Sequence, residues 1–297
     1  MNRKEKLLNG IEFANPRVKG IEIGALCRPI LSKLESQVFY VDYANKVFLQ
    51  DRYKADPNVN IDEIVEVDGI WGKDSLAQAT SAFSPVDYVL ASHVIEHVPD
   101  LISWLQEIES VLSAQGRLTL AIPDQRYTFD HARNQTRLAD LLNAYFCKAR
   151  VPMAREVMEH VLSNQHVDVV QAWQGQYPSR RINTVQELNE VAWLAQDIAQ
   201  NGNYHDVHCW TFTPLSFCLL MEDLARLELI NFRCSAFYDT QTNDIEFFAQ
   251  LEKSANRDQI LESWTRLQSS LRRLDPLPKQ PKVGRSFKAW IRRHLRG

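Results

Sequence analysis

The chain has 297 residues, of which 45% are hydrophobic and 24% charged, and its formal net charge is −3. This composition is typical of one or two globular domains and excludes disordered, collagen-like and low-complexity proteins. The sequence lacks an apolar run long enough for a membrane span, and its polar first residues do not resemble a signal peptide. Five cysteines without a C-x-x-C pair indicate reduced thiols, so we expect a cytoplasmic protein.

The first half alternates short apolar runs with helical patterns. A helix is predicted from Leu101 to Leu112, between two apolar runs, which indicates a right-handed strand–helix–strand unit. Mostly apolar strands separated by helices favour a parallel sheet covered on both faces. The predicted strands, in chain order, are Gly20–Gly24, Val38–Asp42, Ile64–Asp68, Val86–Ala91 and Arg117–Ile122.

The second half is different in character. Residues 137–200 have mainly helical patterns, and Thr213 followed by Pro214 predicts the start of a further helix. Two β-type runs, Phe232–Tyr238 and Ile245–Leu251, are joined by a polar loop and predict an antiparallel hairpin. Prolines then indicate a linker at the start of residues 276–297.

The end of the chain is strongly basic. Residues 279–297 contain seven positive and no acidic residues, so removing these seven charges from −3 leaves −10 on the rest. An acidic body speaks against broad nucleic-acid binding. Phe287, Ile291 and Leu295 recur every four residues among the charges, which predicts an amphipathic helix touching the inner face of an anionic membrane. The alternatives are a solvated tail, a tail docked on the acidic body, and RNA binding.

Small or acidic residues stand where the predicted strands end. Ligands of open α/β sheets bind at this carboxyl edge. Asp42 ends the second strand, where a carboxylate can accept both hydroxyls of a ribose, and Asp68 ends the third, where it can accept from an adenine amino group. The spacing therefore predicts an adenosine-containing cofactor. Each residue alone is also compatible with a turn, a helix cap or, for Glu22, an ion pair.

The segment Phe83–Asp100 resembles the class I S-adenosylmethionine-dependent methyltransferases, and Val111–Leu118 resembles the region that follows in that superfamily. The resemblance implies a Rossmann-like, doubly wound, seven-stranded and mainly parallel sheet with an antiparallel terminal hairpin. The resemblance covers about residues 18–125 and the hairpin at 232–251. We expect one methyltransferase domain over residues 1–275, in which the segment at about 125–205 has the size of a helical cap that selects the substrate.

S-adenosylmethionine is the cofactor that the resemblance implies. Glu22, Gly24 and Ala25 are then expected against its methionine part, and Asp42 on the ribose. Asp68, with the backbone of Gly69 and Ile70, is expected at adenine, while Ser92 and His93 face the sulfonium. The loop after Gly24 is poor in glycine. This departure leaves a catalytically inactive, methyltransferase-like binding or scaffold protein as the alternative.

The segments Ile21–Ala25 and Ile122–Asp130 further resemble bacterial members found with glycosyltransferases in surface-polysaccharide pathways. The acceptor implied is a sugar hydroxyl of a glycan or glycolipid precursor, which needs a general base. The candidate bases are Asp124, His131 and His208. Polar and aromatic residues of the insertion are candidates for stacking on and bonding a sugar, with ordinary helix packing as the alternative: Tyr127, Trp173, Tyr177 and Arg180.

His93 and His97 are four residues apart at a predicted helix start, which places them on one face. The sequence offers no obvious third ligand, so we expect no metal site there. Glu96 is interpreted as a local hydrogen-bond partner. The segment from His205 to His208 is either a polar loop or part of the mouth of the site.

Overall fold

A computed structural model describes residues 1–72, 74–179 and 182–274. These residues form one seven-stranded sheet in the order β3-β2-β1-β4-β5-β7-β6, in which β7 runs antiparallel to the other six strands. The predicted doubly wound sheet with a terminal hairpin is confirmed, and its strand order reverses between β1 and β4. The strands are β1 (Lys19–Ile23), β2 (Gln37–Asp42), β3 (Gly69–Ile70), β4 (Val86–Ser92), β5 (Leu112–Pro123), β6 (Phe232–Tyr238) and β7 (Glu246–Lys253).

Helices cover the sheet and form the insertion. The segment predicted to be mainly helical contains α5 to α8, and α9 begins as predicted, with Thr213 accepting a hydrogen bond from the Ser216 amide. The predicted linker and tail, residues 276–297, lie outside the described residues. The described helices are α1 (Arg3–Leu7), α2 (Lys46–Tyr53), α3 (Leu76–Ala79), α4 (Leu101–Val111), α5 (Leu138–Cys147), α6 (Ala154–Ser163), α7 (Val169–Trp173), α8 (Val185–Asn201), α9 (Pro214–Arg226) and α10 (Arg257–Leu274).

The predicted third strand, Ile64–Asp68, is wrong. Strand β3 contains only Gly69 and Ile70, which pair with the end of β2. Ile64 is buried against the loop after β1 and against α2 instead, so its burial reflects loop packing rather than pairing in the sheet. Helix α4 also ends one residue earlier than expected, and β5 follows it directly.

The core lies on both faces of the sheet, as the apolar strands predict. Along β4, Val89 and Ala91 face the large cluster that contains α4 and α9, whereas Tyr88 and Leu90 face a smaller cluster that contains α1. Gly20 allows this second layer, since a Cβ there would lie 2.0 Å from the Tyr88 ring. Each fully buried large apolar side chain contributes roughly 1.5–3 kcal/mol to stability.

No helix among the described residues is long and apolar enough to cross a bilayer. All five cysteines lie in the described residues, and each is a free thiol.

Candidate active site

Three strand ends meet at the point where the strand order reverses. Ile23 at the end of β1 pairs with Val41 of β2 on one side and with Ala91 of β4 on the other. Because the strands are parallel and in register, Gly24, Asp42 and Ser92 come together at one edge of the sheet. This is the edge where open α/β sheets bind ligands.

The turn after β1 depends on Gly24. Its φ of +70° lies in the left-handed region, and its amide donates to the Val41 carbonyl oxygen at 2.9 Å. A Cβ at this position would lie 2.8 Å from the Val94 side chain, so the turn after β1 closely approaches the turn after β4. Ala25, which follows, is buried. The turn thus forms a narrow floor between the two strands despite having one glycine.

Glu22 is a buried carboxyl group that holds the loop after β1. It accepts hydrogen bonds from the amides of Ile30 at 2.7 Å and Leu31 at 3.3 Å. Burial raises the pKa of Glu22 to about 7, against the opposing effect of these two amides. Both oxygens are bonded to the loop, so Glu22 shapes the cofactor side of the site through the loop rather than through a free carboxylate.

Asp42 ends β2 with a nearly buried carboxyl group. Its Oδ1 accepts from the Tyr43 amide at 2.8 Å, and within the described residues no donor is bonded to its other oxygen. Burial raises the pKa of Asp42 to about 6, with a smaller contribution from the negative charge of Asp206. A carboxylate with one available oxygen at this edge is suited to receiving hydroxyl donors.

Asp68, Gly69 and Ile70 follow one another beside the end of β2, but their side chains differ in what they contact. The Asp68 carboxylate is already bonded to Lys33 Nζ at 2.6 Å and to the Tyr40 amide at 2.9 Å. These bonds disfavour the predicted adenine contact through its side chain. Ile70 pairs with Asp42 and has an exposed side chain, so it places an apolar surface beside the Asp42 carboxylate.

A network of charged groups surrounds the end of β4. His93 has a left-handed φ of +54°, and its Nε2 lies 2.8 Å from Glu246 Oε2. Glu246 also binds Arg3 Nε at 2.7 Å, and Arg3 donates to Ser92 Oγ. Although burial opposes protonation, the hydrogen bond to Glu246 raises the pKa of His93. Ser92 and His93 are thus held by residues from both ends of the described chain.

The expectation that His93 and His97 share a helical face is wrong. Residues 95–97 form a single 3₁₀ turn, and the left-handed backbone of His93 directs its ring to Glu246. His97 instead bonds Asp206 through Nδ1 at 2.9 Å. Burial lowers the pKa of His97, but the bond to Asp206 and the nearby charge of Glu96 outweigh burial and raise it.

Glu96, His97 and His208 form a cluster at this turn, in which Glu96 and His208 are buried and His97 is partly exposed. Each offers one ligand atom within 4.8 Å of those of the other two. The backbone joins the two segments, since the amides of Cys209 and Trp210 both donate to the Glu96 carbonyl oxygen, at 2.6 and 3.2 Å. The third ligand that the sequence did not reveal is therefore supplied by a segment more than 100 residues later.

Asp124 lies at the end of β5, where it was predicted, but its carboxylate is occupied. It is fully buried and receives Arg126 through Nε at 3.0 Å and a terminal nitrogen at 2.7 Å, and Thr240 Oγ1 at 2.7 Å. Both carboxylate oxygens therefore already accept hydrogen bonds from side chains of this protein. This environment disfavours the predicted general-base role. It indicates that Asp124 holds the β6–β7 loop against the end of β5 through its hydrogen bond with Thr240.

His131 and the aromatic residues of the insertion stack on one another in pairs. The His131 ring stacks on Tyr177 with centroids 5.4 Å apart, and burial lowers the pKa of His131. The rings of Tyr127 and Trp173 stack on each other at 4.1 Å. Each of these rings already has a partner on one face. Arg180 lies outside the described residues.

A polar cavity of about 390 Å³ opens between α5, α6 and the segment Cys209–Thr211. Its lining includes Arg133, whose guanidinium donates to Asp130 at 3.0 Å and to the His208 carbonyl oxygen at 2.8 Å. The cavity therefore adjoins the residues that hold His208. Its charged lining suits a polyhydroxylated molecule better than an apolar one.

Sequence reasoning missed four acidic or basic residues that hold the site. Asp130 and Asp206 position the two clustered histidines, and Arg3 and Glu246 hold Ser92 and His93. Of these four, only Glu246 could have been predicted from the sequence. The antiparallel direction of β7 puts its first residue, Glu246, at the carboxyl edge of the parallel strands. The other contacts join distant segments without a local pattern.

Comparison with known proteins gives one family match. The sequence model of a family described as "Methyltransferase domain" matches residues 14–224, which is more than two thirds of the chain. No curated protein sequence matches the chain.

Among similar solved structures is a protein described as a Zn-dependent alcohol dehydrogenase from Rhodobacter sphaeroides, with 13% identity over 85% of this chain and 89% of that chain and a TM-score of 0.45. A SAM-dependent methyltransferase from Aquifex aeolicus has 9% identity over 81% and 85% of the two chains and a TM-score of 0.36. The methyltransferase CcbJ from Streptomyces caelestis has 13% identity over 84% and 94%, with a TM-score of 0.37. At these values the likenesses carry no conclusion about activity.

Proposed function

Because the chain belongs to the methyltransferase-domain family, we propose that it transfers a methyl group from S-adenosylmethionine to a sugar hydroxyl of a glycan or glycolipid precursor. The observation that carries the cofactor is the half-available carboxylate of Asp42 at the reversal point of the strand order. S-adenosylmethionine is the methyl donor, and its ribose is the group that Asp42 binds.

The cofactor lies along the edge formed by β1, β2 and β4. The Gly24 turn provides the floor for its methionine part, and Ile70 provides the apolar wall for its adenine. Ser92 and His93, fixed by Arg3 and Glu246, face its sulfonium end. Methyl transfer is an in-line displacement, so the protein must align the two reactants and exclude water.

The acceptor side is built by the insertion. The polar cavity next to Arg133 supports a hydroxyl-rich acceptor, and the cluster of Glu96, His97 and His208 includes two residues of the turn that follows β4. We assign activation of the acceptor hydroxyl to this cluster rather than to Asp124, whose oxygens are occupied.

Calorimetry and mass spectrometry test this function. The full chain is titrated with S-adenosylmethionine and with S-adenosylhomocysteine. It is then incubated with trideuteromethyl S-adenosylmethionine and a panel of nucleotide-activated sugars and lipid-linked glycans. We expect both ligands to bind and a 17-dalton mass increase on an acceptor with a free hydroxyl, since CD₃ replaces H.

The glycine-poor loop after β1 favours one second candidate, a protein that binds the cofactor without catalysis. Binding of both ligands without transfer to any acceptor supports that candidate. Failure of either ligand to bind contradicts both functions.

A further inference from the structure

Three metal-ligating side chains converge on one point beyond the end of β4. The ligand atoms of Glu96, His97 and His208 all lie within 4.8 Å of one another. Imidazole nitrogens and carboxylate oxygens are ligands that Zn²⁺ and other divalent transition metals accept together. We propose that these three side chains bind one divalent transition-metal ion.

The state of Glu96 is the observation that points to a ligand. Its side chain is fully buried, and neither of its oxygens has a hydrogen-bond partner within the described residues. Oε1 lies 3.7 Å from His93 Nδ1 and 4.0 Å from His97 Nε2, which is beyond hydrogen-bond reach. A buried carboxylate without a partner is strongly unfavourable. A cation between Glu96 and the imidazoles removes this penalty.

Both histidines are oriented as metal-binding histidines are. Nδ1 of His97 bonds Asp206 at 2.9 Å, and Nδ1 of His208 bonds Asp130 at 2.5 Å. Histidine ligands of metals commonly donate their second ring N–H to a carboxylate, which fixes the ring and makes the other nitrogen a better ligand. The two aspartates thereby leave Nε2 of each histidine for the ion.

The spacing and the charge of the cluster fit a dication. Two atoms at ~2.1 Å from a tetrahedral ion lie roughly 3.4 Å apart, so the 4.0 Å between Glu96 Oε1 and His97 Nε2 closes with a small side-chain rotation. Glu96, Asp130 and Asp206 bring three negative charges, of which Arg133 balances one through its bond to Asp130. The acidic groups in and around the cluster favour a bound cation over an anion.

The role of the ion rests on the proposed function. Three protein ligands leave a position open for the hydroxyl oxygen of the acceptor, and a bound cation lowers the pKa of that hydroxyl. The hydroxyl proton is released to bulk solvent as the oxygen binds the ion, and the oxygen then attacks the methyl carbon of the sulfonium. The carbon–sulfur bond then breaks, and its electron pair remains on the sulfur of S-adenosylhomocysteine.

Zn²⁺ titration of the full chain tests the site without cofactor or acceptor. The protein is stripped with a chelator and carries Cys147→Ser, because this exposed thiol is an adventitious ligand. Calorimetry in the presence of a weak competing chelator is expected to give one Zn²⁺ per chain. Glu96→Gln and His208→Gln are each expected to weaken binding at least 100-fold.

His205→Gln is the matched control. His205 bonds Asp197 at 2.8 Å, so it is also a histidine–carboxylate pair, but it lies outside the cluster. This variant is expected to bind Zn²⁺ as the parent does. X-ray absorption of the Zn²⁺-loaded parent adds a measurement that needs no cluster variant to fold, and two imidazoles with further oxygen ligands are expected.

A parent protein without stoichiometric Zn²⁺, or an absorption spectrum with sulfur ligands, overturns the site. Parent-like affinity in a folded Glu96→Gln or His208→Gln variant does the same. Zn²⁺ binding in a protein that does not bind S-adenosylmethionine leaves the site standing and removes the proposed function. Methyl transfer by a protein without Zn²⁺ affinity supports the proposed function and overturns the metal site.

Discussion

Asp42 is the residue on which the cofactor assignment depends most directly. Replacing it with alanine removes a charged acceptor from the ribose hydroxyls, so we expect Asp42→Ala to weaken S-adenosylmethionine binding by about 1–3 kcal/mol. Because burial raises the pKa of Asp42 to about 6, the affinity of the unmodified protein should also fall as the pH drops below that value.

Calorimetric titration between pH 5 and pH 8 measures both effects. Asp42→Asn is the control, because an amide does not titrate and its affinity should depend less on pH over that interval. Unchanged affinity in Asp42→Ala would remove Asp42 from the ribose.

Glu22 makes the stability of the fold depend on pH. Its pKa is about 7 in the folded chain and near 4.5 when unfolded, so between these values the folded protein holds the extra proton. The free energy of unfolding should therefore fall by roughly 3 kcal/mol as the pH rises from 4.5 to 7. Glu22→Gln should remove this decline, since its amide is neutral throughout.

Urea unfolding at several pH values checks the prediction for Glu22. Glu35 serves as the control because it is exposed and its pKa is lowered to about 2, mainly by Lys4. The decline should persist in Glu35→Gln. A Glu22→Gln profile with the full decline would show that other groups cause it.

Residue-level reasoning from the sequence succeeded at strand ends and failed where contacts are long-range. Asp42 and Gly24 could be located because a strand pattern has a visible end. The occupation of Asp124 could not be foreseen, since Thr240 reaches it from a loop 116 residues away. His208 could not be joined to Glu96 for the same reason, because their segments are 112 residues apart and meet only in the folded chain.

At the scale of elements, the turn after β1 can be compared with the end of α8, because each contains a glycine with a left-handed backbone. Gly24 and Gly202 both have a left-handed φ, +70° and +65°, but a Cβ at Gly202 has no atom within 4 Å whereas one at Gly24 meets Val94 at 2.8 Å. Gly202→Ala should cost about 1 kcal/mol of stability through backbone strain alone. Gly24→Ala should cost more and should also weaken cofactor binding.

Thermal unfolding and cofactor titration of both variants measure the difference. Equal destabilisation, with equal cofactor affinity, would mean that the close approach of the two turns has no energetic importance.

Element prediction from the sequence was reliable where pattern and burial agree. The apolar face of α4 and the apolar residues of β4 contribute to the large core cluster. The predicted ends of both elements agree with the structure to within one residue. The third strand failed because alternating apolar residues are also buried beneath a loop, as Ile64 is. The spacing of apolar residues along the sequence indicates that they are buried, but it does not show whether a strand, a helix or a loop covers them.

At the scale of the whole molecule, the basic tail remains the proposal with the largest consequence for location. We propose that residues 279–297, with seven positive charges, bind anionic lipid, at on the order of 1 kcal/mol for each charge near the surface. Vesicles of phosphatidylglycerol should pellet the full chain at low salt and release it at high salt. A chain ending at Pro278 should stay in the supernatant, and its equal pelleting would contradict the proposal.

The bond between Arg3 and Glu246 joins residues 243 positions apart and completes the surroundings of Ser92 and His93. Neither partner lies within residues 14–224, the part that matches the family. During synthesis on a ribosome, the bond between Arg3 of α1 and Glu246 therefore forms only after most of the chain has been translated. A nascent chain that has emerged only as far as α9 contains Gly24, Asp42, Ser92 and His93, but it still lacks Glu246, which bonds both Arg3 and His93.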